Sequence, residues 1–216
     1  MEGFKEQRRK MVAEQIAARG VQDPRVLEVM EKVPREMFVD PFAVPFAYKD
    51  TPLPIKEEQT ISQPFIVAWM VEQAQLNPQD KVLEVGTGSG YSTAILSQLT
   101  SHVYSIERFP TLAQLAEERL QQLGYTNISI LVGDGTVGWN DFSPYDAIIV
   151  TAGGPQVPPS LLKQLKIGGR LIIPVGPNLD DQQLVHVVRE DKDNYRYKNI
   201  GAVRFVPLLG QEGWKE

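Results

Sequence analysis

The stretch Lys81–Tyr91, KVLEVGTGSGY, joins a short apolar run to three glycines at alternate positions. The apolar run predicts a buried strand, and Gly86, Gly88 and Gly90 predict a sharp turn at its end. Because glycine has no Cβ, the backbone of such a turn can adopt positive φ and approach a ligand closely. The stretch therefore predicts the first strand and the ligand-binding turn of a nucleotide-binding sheet.

The spacing of these glycines narrows the choice of ligand. A dinucleotide-binding turn carries its third glycine five positions after the first, and that position is Tyr91 in this chain. The pattern Gly-x-Gly-x-Gly therefore argues against NAD, and a nicotinamide-dependent oxidoreductase stays only as an alternative interpretation.

Length and composition limit the class of protein. The chain has 216 residues and no cysteine. This length predicts a single domain, 1–216, which can bury roughly 70% of the surface that its unfolded form exposes. Without cysteine we expect neither disulfides nor a thiolate metal site, and we predict no metal site and a cytoplasmic location. We also expect no signal peptide, no membrane-spanning segment and no membrane partner.

The charge balance bears on possible partners. A formal net charge of −5 gives no broad attraction for phosphate groups, so we predict no nucleic-acid partner. Lys5, Arg8, Arg9 and Lys10 form a basic cluster near the start of the chain. Because acidic residues interleave with this cluster, we expect it to be a solvated helix face.

Residues 1–78 predict a helical extension that precedes the core, 79–216. Apolar residues at helical spacing predict a first helix that ends at Gly20, and Asp23-Pro24 predicts the cap and first position of a second helix. Four prolines between 41 and 54 predict irregular chain, which leads through Gln59–Pro64 into a helix over 65–74.

From Lys81 onward, apolar strands alternate with helical stretches, which is typical of a parallel sheet covered on both faces. Strands are predicted near 81–86, 103–107, 128–132, 146–151 and 170–175, and helices over 91–99, 112–123 and 159–165. Two further strand-like runs, 184–189 and 199–206, have no helix between them and should pair antiparallel. The pattern predicts an α/β, doubly wound, Rossmann-like sheet that is mostly parallel and ends in an antiparallel hairpin.

Polar groups stand at the ends of four predicted strands, where doubly wound folds bind their ligands. They are Glu84, Glu107, Asp134 and Thr151. Glu107 lies 17 residues after Gly90, near the separation of about 20 expected for a ribose-binding acid. Taken singly, Glu107 could be a solvated strand end and Asp134 a turn former. Four suitable groups in order favour an adenosine-containing ligand.

These segments together resemble the class I S-adenosylmethionine-dependent methyltransferases, in the variant with a terminal antiparallel hairpin. Further segments are similar to protein-L-isoaspartate O-methyltransferases of the bacterial type. They are Val33–Val39, Thr60–Pro64, Gln164–Arg170 and Val203–Leu208. The resemblance implies an enzyme that methylates the α-carboxylate of isoaspartyl residues in damaged proteins and so initiates their repair. S-adenosylmethionine is its implied cofactor, and S-adenosylhomocysteine is the product.

The resemblance also implies roles for individual residues. Ser62 corresponds to the active-site serine and contacts the substrate. The implied cofactor-binding residues are Gln59, Thr60, Ile61, Glu84, Gly86, Gly88, Glu107, Arg108, Asp134, Gly135 and Thr151. Within this set, Glu107 is expected at the ribose and Asp134 with Gly135 at the adenine. Val206, Pro207 and Leu208 are expected to border the peptide. Phe65 departs from the family, since some members carry histidine there.

The implied acceptor suits these residues. An α-carboxylate with a pKa of about 3.5 is already ionised at neutral pH, so the reaction needs no general base. Three alternatives remain open at this point: a methyltransferase acting on another carboxylate or a small molecule, a non-catalytic S-adenosylmethionine-binding module, and the nicotinamide-dependent oxidoreductase. Local sequence alone also allows Ser62 to be a helix N-cap before Pro64.

Overall fold

The computed structural model describes residues 3–215. Its N-terminal region is helical. Helix α1 (Phe4–Lys10) continues through a π-helical turn (Met11–Ile16) and a 3₁₀ turn (Ala17–Arg19). Gly20, at φ +104°, ends this helix as predicted. Helix α2 (Pro24–Lys32) follows, and the Asp23 carboxylate accepts a hydrogen bond from Arg25 N, which confirms the predicted cap.

The basic cluster in α1 is only partly solvated, so that prediction was wrong for one member. The Arg8 guanidinium turns inward, where it donates to Tyr48 Oη at 3.0 Å and to the Lys32 carbonyl at 2.7 Å. It also pairs with Glu36 at 3.2 Å. Arg8 therefore ties α1 to the chain that follows α2.

The segment predicted to be irregular contains more order than its prolines suggested. Two 3₁₀ turns (Arg35–Phe38 and Pro41–Phe46) lead to a short antiparallel pair, β1 (Leu53–Pro54) and β2 (Thr60–Ile61). Helix α3 (Pro64–Gln73) begins three residues after the end of β2 and confirms the predicted helix. The hairpin places residues 59–62 beside the glycine turn.

The core contains a seven-stranded sheet in the order β5-β4-β3-β6-β7-β8-β9. Its strands are β3 (Lys81–Val85), β4 (His102–Glu107), β5 (Ile128–Val132), β6 (Tyr145–Val150), β7 (Leu165–Val175), β8 (Gln182–Arg189) and β9 (Tyr195–Val203). The accompanying helices are α4 (Tyr91–Ser97), α5 (Pro110–Gln122) and α6 (Pro159–Gln164). Strands β3 to β7 pair in parallel, and β8 pairs antiparallel with both β7 and β9, which confirms the predicted fold.

The strand boundaries differ from the prediction mainly at β7 and β9, and β9 begins at Tyr195 rather than at 199. Strand β7 begins at Leu165 rather than near 170, and its register against β6 shifts between Tyr145 and Ala147. Gly168, at φ +78°, lies in this irregular stretch and allows the extra residues. Strand β9 ends at Val203, three residues earlier than predicted, so the chain leaves the sheet there and returns toward the glycine turn.

Hydrophobic side chains form one cluster on each face of the sheet. The larger cluster unites the N-terminal helices with α3, α4 and one face of the sheet, and the smaller one lies beneath α6. Arg35 is fully buried between the extension and α4, with its guanidinium carbon 4.8 Å from the Tyr91 ring centroid. Among residues 3–215, no helix is both long and apolar enough to cross a bilayer.

Candidate active site

The glycine turn follows β3 and lines a cavity in the protein surface. Gly86, Gly88 and Gly90 all have positive φ, at +98°, +54° and +88°, as the sequence predicted. A Cβ at Gly86 would lie 2.3 Å from Thr151 Oγ1, so no larger residue fits at this position. Thr151 therefore requires glycine at 86 and positions the first turn of the loop.

A cavity lies at the carboxyl ends of β3, β4 and β6, where the turn begins. Thirteen of the fifteen predicted site residues line it, namely Gln59, Thr60, Ile61, Ser62, Gly86, Gly88, Glu107, Arg108, Gly135, Thr151, Val206, Pro207 and Leu208. These residues come from six separate segments of the chain. Glu84 and Asp134 do not line the cavity.

Glu107 presents its carboxylate to the cavity from the end of β4. Its Oε2 accepts a hydrogen bond from Gly88 N at 2.8 Å, and its Oε1 accepts one from Phe109 N at 3.0 Å. Each carboxylate oxygen has two acceptor sites, so each retains one for a ligand hydroxyl. The two backbone bonds hold the carboxylate in place, and this geometry suits a pair of ribose hydroxyls.

Glu84 lies beneath the turn rather than in the cavity, which corrects its predicted contact with the cofactor. Its side chain is fully buried, and Oε2 accepts hydrogen bonds from Thr93 Oγ1 at 2.5 Å and Ser105 Oγ at 2.7 Å. The Ser105 hydroxyl in turn lies 2.6 Å from Thr87 Oγ1 within the turn. Burial raises the pKa of Glu84 to about 7. Glu84 thus supports the turn through neighbouring hydroxyl groups.

Gly135 and Asp134 differ in their relation to the cavity. Gly135 lines it, and a Cβ there would lie 2.3 Å from Val85 Cγ1, so the main chain packs closely against the end of β3. The Asp134 carboxylate points elsewhere, accepting from Thr136 N and from Gln211 N, both at 2.8 Å. Burial acts to raise the pKa of Asp134, but these hydrogen bonds lower it below its ordinary value. The predicted contact of Asp134 with adenine is therefore replaced by contacts within the protein.

Ser62 lies between β2 and α3, and it lines the cavity. The N-cap position of α3 is Gln63, and no side chain caps this helix end. The alternative role of Ser62 as a helix cap is therefore wrong. The Gln63 amide instead donates to Asp50 Oδ2 at 2.7 Å, which fixes the chain on one side of Ser62.

An open cleft of about 770 Å³ adjoins the cavity. The two spaces share five lining residues, which are Thr60, Ser62, Thr151, Val206 and Pro207. Gly153 holds the returning chain in place, because its N–H donates to the Val206 carbonyl and its carbonyl accepts from Leu208 N, both at 2.8 Å. The cleft therefore reaches the cavity beside Ser62.

The C-terminal segment, residues 208–215, packs against the outer side of the cavity wall. Trp214 Nε1 donates to the Gly153 carbonyl at 2.9 Å. The Glu212 carboxylate accepts from both N and Oγ of Ser160, at 2.8 and 2.7 Å. Leu209 from this segment also lines the cavity. Sequence reasoning assigned no role to residues 210–216, of which residue 216 lies outside the described residues.

Several lining residues were not predicted. They are Val67, Val85, Thr87, Ser89, Tyr91, Ser92, Ile106, Phe109, Ala152 and Leu209. Thr87 and Ser89 lie between the predicted glycines, so the motif itself contained that signal. Leu209 directly follows Leu208, the last residue of the segment predicted to border the peptide.

Neither histidine lines the cavity or the cleft. His102 Nε2 lies 3.0 Å from Ser129 Oγ on the neighbouring strand, and His186 is on β8. Burial lowers the pKa of both imidazoles below their ordinary value. The site therefore has no histidine available as a general base.

Residues 6–213 match the family model of the protein-L-isoaspartate(D-aspartate) O-methyltransferases. The chain belongs to this family. A protein-L-isoaspartate O-methyltransferase of Protochlamydia amoebophila is 69% identical over 205 residues, which cover 95% of this chain and 98% of that protein. A second one, from Pelobacter propionicus, is 54% identical and covers 94% of this chain and 91% of its own length.

Solved structures of isoaspartate methyltransferases show the same fold. One protein-L-isoaspartate O-methyltransferase superposes with a TM-score of 0.83 at 31% identity, over 95% of this chain and 67% of that one. A β-aspartate methyltransferase from Plasmodium falciparum, solved in complex with S-adenosyl-L-homocysteine, gives 0.82 at 25% identity, over 94% and 98% of the two chains. The predicted methyltransferase fold and cofactor class are thereby confirmed.

Proposed function

We propose that the chain transfers a methyl group from S-adenosylmethionine to the α-carboxylate of isoaspartyl residues in damaged proteins, and so initiates their repair. The observation that carries this proposal is the junction between the cavity and the cleft. A ligand in the cavity and a polypeptide in the cleft meet at the residues that the two spaces share, among them Ser62 and Thr151.

The cavity wall fits the proposed cofactor in its chemistry. Gly86 has no side chain beside Thr151, so the methionine part of the cofactor can lie close to the backbone there. Glu107 offers two fixed carboxylate oxygens to the ribose. Gly135 brings main chain to the space proposed for the adenine, and Arg108 and Phe109 complete that side. On the opposite side of the cavity, the wall is formed by Gln59, Thr60 and Ile61 of the β1–β2 hairpin.

The reaction requires alignment more than acid–base chemistry. When bound, the cofactor supplies an activated methyl group on a positively charged sulfur. The acceptor carboxylate is ionised at neutral pH, so no residue of this chain has to remove a proton. Ser62 orients the carboxylate by donating a hydrogen bond, while Val206 and Pro207 hold the peptide and exclude water beside it. A reaction that needs no general base agrees with a site that has no histidine in its lining.

The proposed setting is the cytoplasm, with isoaspartyl proteins as partners and no role for nucleic acid. The lack of cysteine supports the cytoplasmic location, and the net charge of −5 supports the absence of a nucleic-acid partner.

The decisive experiment uses two peptides of identical sequence, one with an isoaspartyl residue and one with ordinary aspartate at that position. Each is incubated with the protein and methyl-labelled S-adenosylmethionine. We expect base-labile label on the isoaspartyl peptide and little on its twin, because only the former carries a free α-carboxylate at that site. Equal labelling of both peptides, or none of either, contradicts the proposal. Transfer to a small-molecule acid instead would favour the alternative methyltransferase activity.

A further inference from the structure

An aromatic shelf forms part of the cleft wall on the side away from the cavity. It consists of Phe65 and Trp69, which are four residues apart on α3 and therefore lie on one helix face. Their rings stack with centroids 5.9 Å apart and an interplanar angle of 19°. Both side chains are only partly buried and line the cleft, so the shelf presents aromatic surface to whatever the cleft holds.

Residues from distant parts of the chain hold the shelf in place. A Cβ at Gly201 on β9 would lie 2.7 Å from Trp69 Cη2, so glycine makes room there for the indole. The Arg19 guanidinium carbon lies 3.6 Å from the Phe65 ring centroid, a cation–π contact. Arg19 also pairs with Asp50, whose carboxylate accepts from Phe65 N at 3.3 Å. The shelf is thus ordered without a ligand, which lowers the entropic cost of binding to it.

The shelf is close to the point of reaction. Phe65 follows Ser62 by three residues, a span of at most about 11 Å of extended chain. An extended peptide covers the same distance in about three residues. A side chain within three positions of the isoaspartate can therefore reach the shelf while its α-carboxylate lies beside Ser62.

The charges of the cleft do not favour a charged side chain there. Its lining contains three charged residues, Arg19, Asp180 and Arg204. Arg204 Nη2 pairs with Asp180 Oδ1 at 2.6 Å, and Arg19 pairs with Asp50. Each cation already has a carboxylate partner, while Ile66, Leu179, Val203 and Phe205 provide apolar surface around the shelf. The cleft therefore offers mainly apolar contact around the shelf.

We propose that Phe65 and Trp69 form a specificity subsite that accepts an apolar, preferentially aromatic, side chain within three residues of the isoaspartate. This inference rests on the proposed function and adds a flanking-residue preference to it. Burial of an aromatic side chain against the shelf lowers the free energy of the bound peptide, and the gain is independent of the methyl transfer itself.

The test compares isoaspartyl peptides that differ at one flanking position. Tryptophan, glycine or glutamate is placed in turn at each of the three positions on either side, and kcat and KM are measured with labelled cofactor. At one position or more, we expect kcat/KM to be roughly tenfold higher for tryptophan than for glycine, mainly through KM. The Phe65→Ala/Trp69→Ala variant should reduce this ratio to near one.

Two further variants control for misfolding. Phe42→Ala removes a phenylalanine that is 68% exposed and lies outside the cleft, and it should keep the full tryptophan-to-glycine ratio. Phe65→Tyr keeps the ring and should keep the ratio as well. Affinity for S-adenosylhomocysteine, measured by calorimetry, confirms that each variant is folded.

Three results would overturn the inference while leaving the proposed function intact. The first is methylation that does not depend on any flanking residue, and the second is a preference for glutamate over tryptophan. The third is an undiminished ratio in the double variant. Failure to methylate every isoaspartyl peptide would instead contradict the proposed function.

Discussion

Thr151 Oγ1 lies 2.8 Å from the carbonyl oxygen of Gly86, so the end of β6 holds the glycine turn that follows β3. The same hydroxyl occupies the space that a side chain at position 86 would need, at 2.3 Å from its Cβ. One contact therefore joins two neighbouring strand ends and shapes the cavity between them.

Gly86→Ala should weaken cofactor binding at least tenfold, since the new methyl group collides with Thr151 and displaces the turn. Gly20→Ala is a matched control, because Gly20 has a similar φ of +104° and no atom within 4 Å of its Cβ position. Both variants carry comparable backbone strain of about 1 to 2 kcal/mol. Calorimetry with S-adenosylhomocysteine should show at least a tenfold loss of affinity for Gly86→Ala alone. Similar losses in both variants would assign the effect to strain rather than to Thr151.

Ser62→Ala should lower turnover roughly 10- to 1000-fold while leaving cofactor affinity nearly unchanged. The variant loses the hydroxyl that orients the acceptor carboxylate, but it retains the backbone that lines the cavity. Steady-state kinetics on an isoaspartyl peptide and calorimetry with S-adenosylhomocysteine separate the two quantities. If cofactor affinity falls together with turnover, the role of Ser62 is structural.

Glu84→Gln should change how the stability of the protein depends on pH. The pKa of Glu84 is raised by burial from 4.5 to about 7, so between these values the folded chain keeps a proton that the unfolded chain has released. This proton stabilises the fold fully below pH 4.5, and about 3 kcal/mol of that stability is lost as the pH rises through 7.

The glutamine variant stays neutral throughout and escapes this loss. Its free energy of unfolding, relative to that of the unaltered protein, should therefore increase by about 3 kcal/mol between pH 4.5 and pH 8. Urea unfolding at both pH values measures the difference directly. A difference that stays constant with pH contradicts the assignment.

Asp134→Ala should weaken cofactor binding indirectly, by up to about 1 to 3 kcal/mol, because the variant loses the hydrogen bond from Gln211 N to a charged carboxylate. The effect should act through the C-terminal segment, because the Asp134 carboxylate accepts a hydrogen bond from Gln211 N and Leu209 of the same segment lines the cavity. Glu212→Gln, which weakens the bonds to Ser160 outside the cavity, should then reduce cofactor affinity in the same direction. In calorimetry, the double variant should lose less than the sum of the two single losses. Strict additivity would indicate that Asp134 acts independently of the segment.

Local patterns were sufficient to predict most of the fold. The alternation of apolar strands and helices gave the parallel sheet, and two adjacent strand-like runs gave its antiparallel end, because both signals depend on neighbours in the sequence. The start of β7 was missed because Gly168 permits an irregular stretch that pairs before the regular strand begins. The hairpin of β1 and β2 was missed because each strand has only two residues.

Most residues of the site could be predicted from the sequence, but the directions in which their side chains point could be predicted less well. Position at a strand end correctly brought Glu107 and Thr151 to the cavity. The same argument failed for Glu84, because Thr93 and Ser105 on other elements bind its carboxylate. It failed for Asp134 because the partner, Gln211, lies 77 residues away in the sequence. Side-chain direction depends on such long-range partners, which a local motif does not reveal.

The position of Trp69 in the cleft allows its fluorescence to report the binding of a peptide there. The chain has three tryptophans, of which Trp139 packs against Tyr104 and Trp214 donates to the Gly153 carbonyl, so Trp69 alone faces the cleft. Replacing Trp139 and Trp214 by phenylalanine would leave one emitting indole, which loses contact with water when a peptide side chain covers it. Its emission would then report docking of unlabelled substrate in real time, separately from the methyl transfer that follows.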